Sequence, residues 1–351
     1  MNIQETYMQR CIDLALAGAG SVAPNPMVGA VLVCQNRIIG EGYHEKYGAA
    51  HAEVNCLKSV CLADRDLISS STLYVSLEPC AHYGKTPPCS QLIIDHKIPR
   101  VVIGCSDPFV KVNGKGIANL REAGIEVIAG ILEEKAKALN KRFFVYQQKK
   151  RPFIILKWAQ TADQMIAATG NERLLISNEF SNRLVHRWRG EEDGILVGTN
   201  TALKDNPSLT NRLWKGKNPT RLVIDQHLKI PANSHLFNAE ATTIVFNAST
   251  DSVNDHLIYV KIDFTNRVLE QVLDFCYAYP LQSILVEGGA MLLQSFIDAG
   301  IWDEARIIQN NTLKIAAGLA APILKNKEWV ESFPSANDTI FIYRNSTTIN
   351  K

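Results

Sequence analysis

Several features are missing from this chain of 351 residues, and each absence closes off a class of protein. No apolar run approaches the roughly 20 residues that a membrane-spanning helix needs. Residues 1–10 are polar and mixed, without the basic-then-apolar layout of a secretory signal, so the chain reads as cytoplasmic. The eight cysteines show no disulfide-like rhythm; in a cytosolic chain such cysteines are buried fillers or metal ligands. Neither sign of charge is in excess. With 37 basic and 35 acidic residues, the net charge of +2 gives no electrostatic footprint for nucleic acid. There is no tandem repeat and no low-complexity tract. No G-x-G-x-x-G follows a strand, so an ordinary Rossmann fingerprint is absent as well.

What is present is an ordinary globular composition, 46% hydrophobic and 21% charged. The length exceeds the roughly 250–300 residues at which single cores stop growing, which suits two domains. In the first part, Met8, Cys11, Ile12, Ala15 and Leu16 recur at helical spacing before the stops Gly18 and Gly20. Apolar runs typical of buried strands follow at 28–33, 73–77, 101–104 and 125–128, with helical stretches at 51–58, 90–96 and 115–123. Residues 140–152 (NKRFFVYQQKKRP) are basic and end in proline. This segment predicts a domain boundary, placed at 147/148, whose aromatics cover a domain edge. Beyond it, strands are predicted at 154–157, 195–198, 222–225, 243–246, 257–260 and 284–286, and helices at 178–189 and 291–299. Both domains, 1–147 and 148–351, therefore read as layered α/β.

The chemistry is concentrated in three short stretches. His51-Ala52-Glu53 opens a helical segment, Glu78-Pro79-Cys80 follows a strand, and Cys89 leads into another helix. One His and two Cys make a three-ligand set, which suits a catalytic zinc with its fourth position open to water. Zinc brings the pKa of that water down to about 7. A carboxylate must then shuttle protons to the ring nitrogen and the leaving amine, and Glu53 is placed for that without being a ligand. The set matches the zinc deaminase pattern of H-x-E with P-C-x-x-C. Helix starts at Cys80 and Cys89 would favour their thiolates. One departure stands out: eight residues, AHYGKTPP, separate the two cysteines instead of two. His44 and His82 could also ligate, line the pocket or face solvent. The other six cysteines read as core or surface residues.

That insertion identifies the family. PNPMVGAV (24–31), HAEVN (51–55), LEPCAHYGKTPPC (77–89), DPFVKVNGKGI (107–117) and REAGIEV (121–127) resemble the bacterial RibD-type riboflavin-biosynthesis deaminase–reductases. The resemblance implies a cytidine-deaminase-like three-layer α/β/α domain followed by a dihydrofolate-reductase-like α/β domain. It implies zinc-dependent hydrolytic deamination of 2,5-diamino-6-(5-phosphoribosylamino)pyrimidin-4(3H)-one. NADPH-dependent reduction of the ribosyl chain to 5-amino-6-(5-phosphoribitylamino)uracil follows. Asn25 would contact the pyrimidine, although a turn former between prolines reads the same way. Lys85 and Thr86 would belong to the substrate loop.

The second domain carries weaker signals of its own. Val286-Glu287-Gly288-Gly289 runs from a strand into glycines and a helix, which suits a phosphate at backbone N–H groups but equally a tight turn. GTNTALKDNPSLTNR (198–212) could hold ribose hydroxyls and a phosphate, or be a solvated loop. By the resemblance, Lys157, Arg189, Asp205, Leu209, Arg212 and Glu287 would meet substrate. Ala159, Leu175, Thr201, Gly288 and Gly289 would meet NADPH. This half also departs from the family pattern. Gln164 and Met165 replace a glycine and a lysine, Arg173 stands for a serine and Leu175 for a cofactor-stacking tryptophan, and the expected Pro-x-x-x-Gly-Gly stretch is blurred at 311–318. NADPH affinity or reductase rate is where a surprise is expected.

Three functions follow: the bifunctional enzyme, a deaminase whose second domain has lost its chemistry, and a nucleic-acid deaminase, which the near-neutral charge disfavours. The partners expected are a small nucleotide-like substrate, no nucleic acid and no membrane. The resemblance adds a homo-oligomer, dimer or tetramer, formed through the reductase domain.

Overall fold

In the computed structural model the structure describes residues 2–81, 87–109, 112–170 and 174–348. His82, Lys85, Thr86 and Arg173 lie outside the described residues. The chain divides into two compact units, Met1–Lys150 and Arg151–Lys351. The segment expected to carry the boundary is a helix for most of its length and breaks only at Lys150, whose φ of 54° is left-handed.

The first unit runs α1 (Ile3–Leu16), β1 (Gly29–Cys34), β2 (Arg37–Tyr43), α2 (Ala52–Ser59), β3 (Thr72–Leu77), α3 (Cys89–Asp95), β4 (Arg100–Cys105), α4 (Lys115–Glu122), β5 (Glu126–Ala129), α5 (Glu133–Leu139) and α6 (Lys141–Lys149). Its five strands lie in the order β2-β1-β3-β4-β5. The first two junctions are antiparallel and the last two parallel. Strand alternation sorts the core into two layers. Val31, Val33, Tyr74 and Val102 pack with Tyr7, Met8, Cys11 and Ile12 of α1 and with Ala136 of α5. Ala30, Leu32, Leu73, Val75, Val101 and Ile103 pack with Ala52, Cys56, Ile93 and Leu120 of α2, α3 and α4. The unit is the three-layer α/β/α sandwich that the resemblance implied.

Strand β2, RIIGEGY, has no sequence signature, because Gly40 and Gly42 interrupt it. Packing explains them. A Cβ on Gly42 would sit 2.3 Å from the Cys56 amide nitrogen, and one on Gly40 would sit 2.6 Å from the Cys56 carbonyl oxygen. Only glycine lets α2 lie this close to the strand. The hairpin turns on Gln35 and Asn36, both at positive φ, as a two-residue turn requires.

The second unit runs β6 (Phe153–Gln160), β7 (Met165–Ala168), α7 (Glu179–Glu191), β8 (Gly194–Gly198), α8 (Thr199–Asp205), β9 (Thr220–Ile224), β10 (Thr243–Asn247), β11 (Ser252–Asn254), β12 (Leu257–Lys261), α9 (Val268–Ala278), β13 (Ser283–Gly288), α10 (Ala290–Asp298), β14 (Glu304–Asn310), β15 (Gly318–Ala320), β16 (Lys327–Ser335) and β17 (Asp338–Asn345). Ten strands form one sheet in the order β11-β12-β10-β9-β8-β13-β6-β14-β17-β16. Every neighbouring pair from β12 to β14 is parallel. The other two strands, β7 and β15, pair with each other. One sheet face carries Leu156, Trp158, Leu196, Leu222, Phe246 and Val286 against α9 and α10. Lys157 and Glu287 alternate to the other face.

Chain direction across the sheet reverses where β13 inserts between β8 and β6. In open parallel sheets ligands bind at the carboxyl ends of strands at such a switch point. The carboxyl ends here are Gly198, Gly288 and the stretch after Lys157.

Candidate functional sites in the two units

In the first unit three elements meet at one point. His51 is the N-cap of α2 and Cys89 the first residue of α3, while Cys80 lies in the turn between β3 and α3. One ligand atom from each residue falls within 4.8 Å of the other two. The imidazole Nδ1 of His51 is 3.6 Å from Cys80 Sγ and 3.3 Å from Cys89 Sγ. Three convergent soft and borderline donors on rigid supports fit a zinc ion and leave its fourth position open.

The thiolate expectation needs one correction. Cys80 starts no helix. Instead the first amide of α3, that of Cys89, donates to Cys80 Sγ at 3.2 Å. The Cys89 and His51 side chains, against the burial that opposes them, pull the Cys80 thiol down to about 4. Cys89 itself moves the other way, because Cys80 carries the negative charge beside it. Neighbouring side chains, with a smaller part from the helix amide, therefore prepare Cys80.

Glu53 sits two residues after His51 and is 3% exposed. Burial pushes its carboxyl above the usual range. It is not one of the three grouped donors. His44 is not one either. It is buried, its ring lies 5.5 Å edge-on to that of His51, and its Nδ1 meets the Ala50 carbonyl at 3.0 Å. A carbonyl only accepts, so Nδ1 carries the proton and Nε2 is left as an acceptor. Nε2 meets Asn25 Nδ2 at 3.1 Å. The Asn25 amide is thereby oriented with its Nδ2 toward His44 and its oxygen left to accept elsewhere.

In the second unit the brought-together group is ionic. Arg189 on α7 grips Glu287 at the end of β13 through both forks, Nε to Oε1 at 2.9 Å and Nη2 to Oε2 at 2.8 Å. Lys157 Nζ lies 3.7 Å from the same Oε2. Burial alone would raise the Glu287 carboxyl; the Arg189 and Lys157 charges overcome it and hold it at about 2. Arg212 joins through the loop. Its amide donates to His186 Nδ1 at 3.0 Å, and its Nη1 donates to Thr210 Oγ1 at 3.0 Å. Burial, then the Arg189 and Arg212 charges, depress His186 to about 4, so it stays neutral and accepts.

The expected cofactor residues cluster less tightly. Gly288, at φ 119°, and Gly289 lead into the N-terminus of α10, and a Cβ on Gly289 would meet Thr201 Oγ1 at 3.1 Å. A bare backbone at a helix N-terminus beside a threonine fits a phosphate of a dinucleotide. Ala159 lies on β6 past Lys157, half-buried. Leu175 is an apolar side chain 75% exposed at the surface. Asp205 is exposed at the end of α8. Leu209 is 2% exposed at φ 53°, so it presents backbone and not side chain.

The turn that departs from the family pattern keeps its shape. Gln164 takes the left-handed conformation at φ 61° where the pattern has glycine. Asp163 holds the turn, accepting from the Ile315 and Ala316 amides at 3.1 and 2.9 Å. His186 and the orienting role of His44 had no sequence signal beyond a histidine in an amphipathic helix and one after a strand.

Comparison with known proteins covers both units. The family described as "Cytidine and deoxycytidylate deaminase zinc-binding region" matches residues 1–105, and "RibD C-terminal domain" matches residues 152–313. The "Riboflavin biosynthesis protein RibD" of Aquifex aeolicus is 40% identical over 308 residues, 86% of this chain and 85% of that protein. Its namesake from Bacillus amyloliquefaciens is 38% identical over 339 residues, 94% and 90% of the two chains. Among solved structures, a Thermotoga maritima diaminohydroxyphosphoribosylaminopyrimidine deaminase/5-amino-6-(5-phosphoribosylamino)uracil reductase superposes with a TM-score of 0.89. It is 37% identical, over 98% of this chain and 99% of that one. Acinetobacter baumannii RibD superposes with a TM-score of 0.86 at 29% identity.

Proposed function

The chain belongs to the RibD family of bifunctional deaminase–reductases of riboflavin biosynthesis, and on that premise we propose how its residues divide the work. The family uses zinc in its deaminase domain and NADPH in its reductase domain, and this chain carries a donor set for the first. The convergence of His51, Cys80 and Cys89 carries the reading.

In the first unit, assigned to residues 1–147, His51, Cys80 and Cys89 hold the metal. Zinc, when bound, acidifies a water to a pKa of about 7 and polarises it for attack on the ring. Glu53 takes a proton from the attacking water and passes it to the ring nitrogen, then carries a second from the added hydroxyl to the leaving amine, so that one water enters and one ammonia departs. Its burial keeps bulk water from that relay. Asn25, oriented by His44, accepts from a ring N–H or amino group.

In the second unit, assigned to 148–351, NADPH supplies a hydride for the C1′ carbon of the sugar when bound. Gly288, Gly289, Thr201, Ala159 and Leu175 hold the cofactor. Lys157, Glu287 and Arg189 face the ribose, and Arg212 and Asp205 face its phosphate and hydroxyls, with Leu209 contributing backbone. Glu287, paired and ionised, fixes both cations in place and orders the site before substrate arrives. A deaminase with an inert second domain is disfavoured, because the ionic group and the glycine pair are intact despite the departures at Gln164, Met165 and Leu175.

We place the enzyme in the cytoplasm, where its eight free cysteines stay reduced. No helix among the described residues is long and apolar enough to cross a membrane. We also propose a homo-oligomer through the second unit. The edge strand β16 supports this, since it leaves Trp329 and Val330 exposed. A light-scattering mass equal to one chain would remove that reading.

The deciding experiment is a coupled assay. The diaminopyrimidine nucleotide is supplied with and without NADPH, and ammonia and NADPH are followed separately. Ammonia is released in both arms, and NADPH is consumed only after it. Glu53→Gln retains zinc and loses ammonia release by about 10²–10⁴-fold. Undiminished release in that variant would remove the proton relay from Glu53.

A further inference from the structure

Asn140 occupies the N-cap position of α6, where an asparagine ordinarily accepts from an amide in the first turn. Here it makes no such bond. Its side chain, in a residue 4% exposed, is turned away from its own helix. Oδ1 accepts from the Met27 amide at 2.8 Å, and Nδ2 donates to the Met27 carbonyl at 2.8 Å. A residue 113 positions away in sequence thus satisfies both backbone groups of one residue, as a neighbouring strand would.

Met27 belongs to the turn that carries Asn25. Pro24 and Pro26 have no N–H, so neither can donate a backbone bond here. The Asn25 amide donates to the Val22 carbonyl, and the Val28 carbonyl accepts from His44. Between those two anchors the Asn140 clamp fixes Met27. Its loss removes the two bonds that fix Met27 between those anchors, two residues from Asn25 and beside a His44 ring that lies 5.5 Å from His51.

We propose that Asn140 is a positioning residue of the deaminase, holding the 24–27 turn so that the Asn25 amide faces the substrate ring. Asn140 acts through Met27 and touches no reacting atom. The inference rests on the reading of Asn25 as a ring contact. It also gives a reason for an asparagine at the start of the α6 segment that capping does not give.

The test is a double-mutant cycle on the full chain with zinc bound. Asn140→Ala raises the KM for the diaminopyrimidine substrate by about tenfold, the size of two ordinary hydrogen bonds. Its deaminase kcat, zinc content and reductase rate on pre-deaminated substrate stay at wild-type values, and these last two readouts report that the chain has folded. Asn140→Asp keeps the volume and one acceptor but turns a charged oxygen on the Met27 carbonyl, so its KM rises at least as far. In the Asn25→Ala background, Asn140→Ala adds nothing further to KM. A KM effect that adds fully in the double variant, or a lowered melting temperature with wild-type KM, overturns the proposal. If Asn25→Ala alone leaves KM unchanged, the Asn25 reading falls and takes this one with it. A wild-type KM in Asn140→Ala with a raised KM in Asn25→Ala overturns the Asn140 inference and leaves Asn25 standing. Should the alanine variant lose zinc or reductase activity, Asn140→Ser and Asn140→Asp carry the same comparison.

Discussion

The two units organise their sites by different physics. In the first, a few side chains converge on one point that a single ion can fill, and two helix starts and the turn after a strand deliver them. In the second, the group that converges is a buried carboxylate between two cations, Arg189–Glu287–Lys157, which leaves one positive charge over for an anionic ligand. The first site is incomplete without its metal. The second is assembled by the fold before any ligand arrives. A site built around an ion needs few residues at fixed spacings, whereas a site built by the fold draws on α7, β6, β13, α8 and the loop that follows it.

That contrast is broken most directly by removing the metal. Chelation of zinc should reduce ammonia release to background while NADPH oxidation on pre-deaminated substrate continues unchanged. A parallel fall in both rates would mean that the second site also depends on the ion. The converse experiment is Glu287→Gln. It leaves Arg189 and Lys157 buried without their counter-charge, and breaking a buried pair costs about 3–5 kcal/mol. Reductase kcat/KM should fall by about a hundredfold or more, with deamination intact. A variant within a fewfold of wild type would show that Glu287 does not order the site.

The same difference decides how much could be read from the sequence. His51, Glu53, Cys80 and Cys89 were legible because metal chemistry restricts residue type and the helix starts restrict spacing. The buried runs of β1, β3 and β4 were legible because two covered faces demand continuous apolar residues. Strand β2 was not, because the closeness of α2 selects Gly40 and Gly42, which read as turn residues. The 140–152 segment read as a boundary, and α6 fills it, because a basic composition says little about helix formation. Asn140, His186 and the orienting role of His44 escaped notice because each works by a hydrogen bond to a residue distant in sequence. In the second unit Lys157, Arg189 and Glu287 came from family resemblance; nothing in their local sequence says that they meet.

A pH experiment sharpens the comparison further. His186 is depressed to about 4 in the folded second unit, below its ordinary 6.5. Between those values the unfolded chain binds a proton that the folded unit refuses, so stability rises with pH across this window. The contribution is complete above pH 6.5 and is lost as the pH falls toward 4. Calorimetry at about pH 5 and about pH 7 should therefore show the second unit melting lower in acid. His186→Asn, which still offers an acceptor to the Arg212 amide but cannot titrate, should flatten that dependence. An unchanged acid shift in the variant would assign it to another group.

The smallest effect concerns the positions that depart from the family pattern. Gln164 sits at φ 61°, a conformation that costs a non-glycine residue roughly 1 kcal/mol. Glycine there would relieve that strain but also enlarge the freedom of the unfolded chain, by about 0.4–1 kcal/mol. The two terms nearly cancel. Gln164→Gly should therefore move the melting of the second unit only slightly and leave the KM for NADPH within about twofold, since the turn is held by Asp163 at the Ile315 and Ala316 amides. Asp163→Asn should lower the melting temperature further than Gln164→Gly does, because it removes the carboxylate that three donors share. If Gln164→Gly instead improves NADPH binding by tenfold or more, the fold does not compensate for the missing glycine. The second site would then share with the first a dependence on single residues at fixed places.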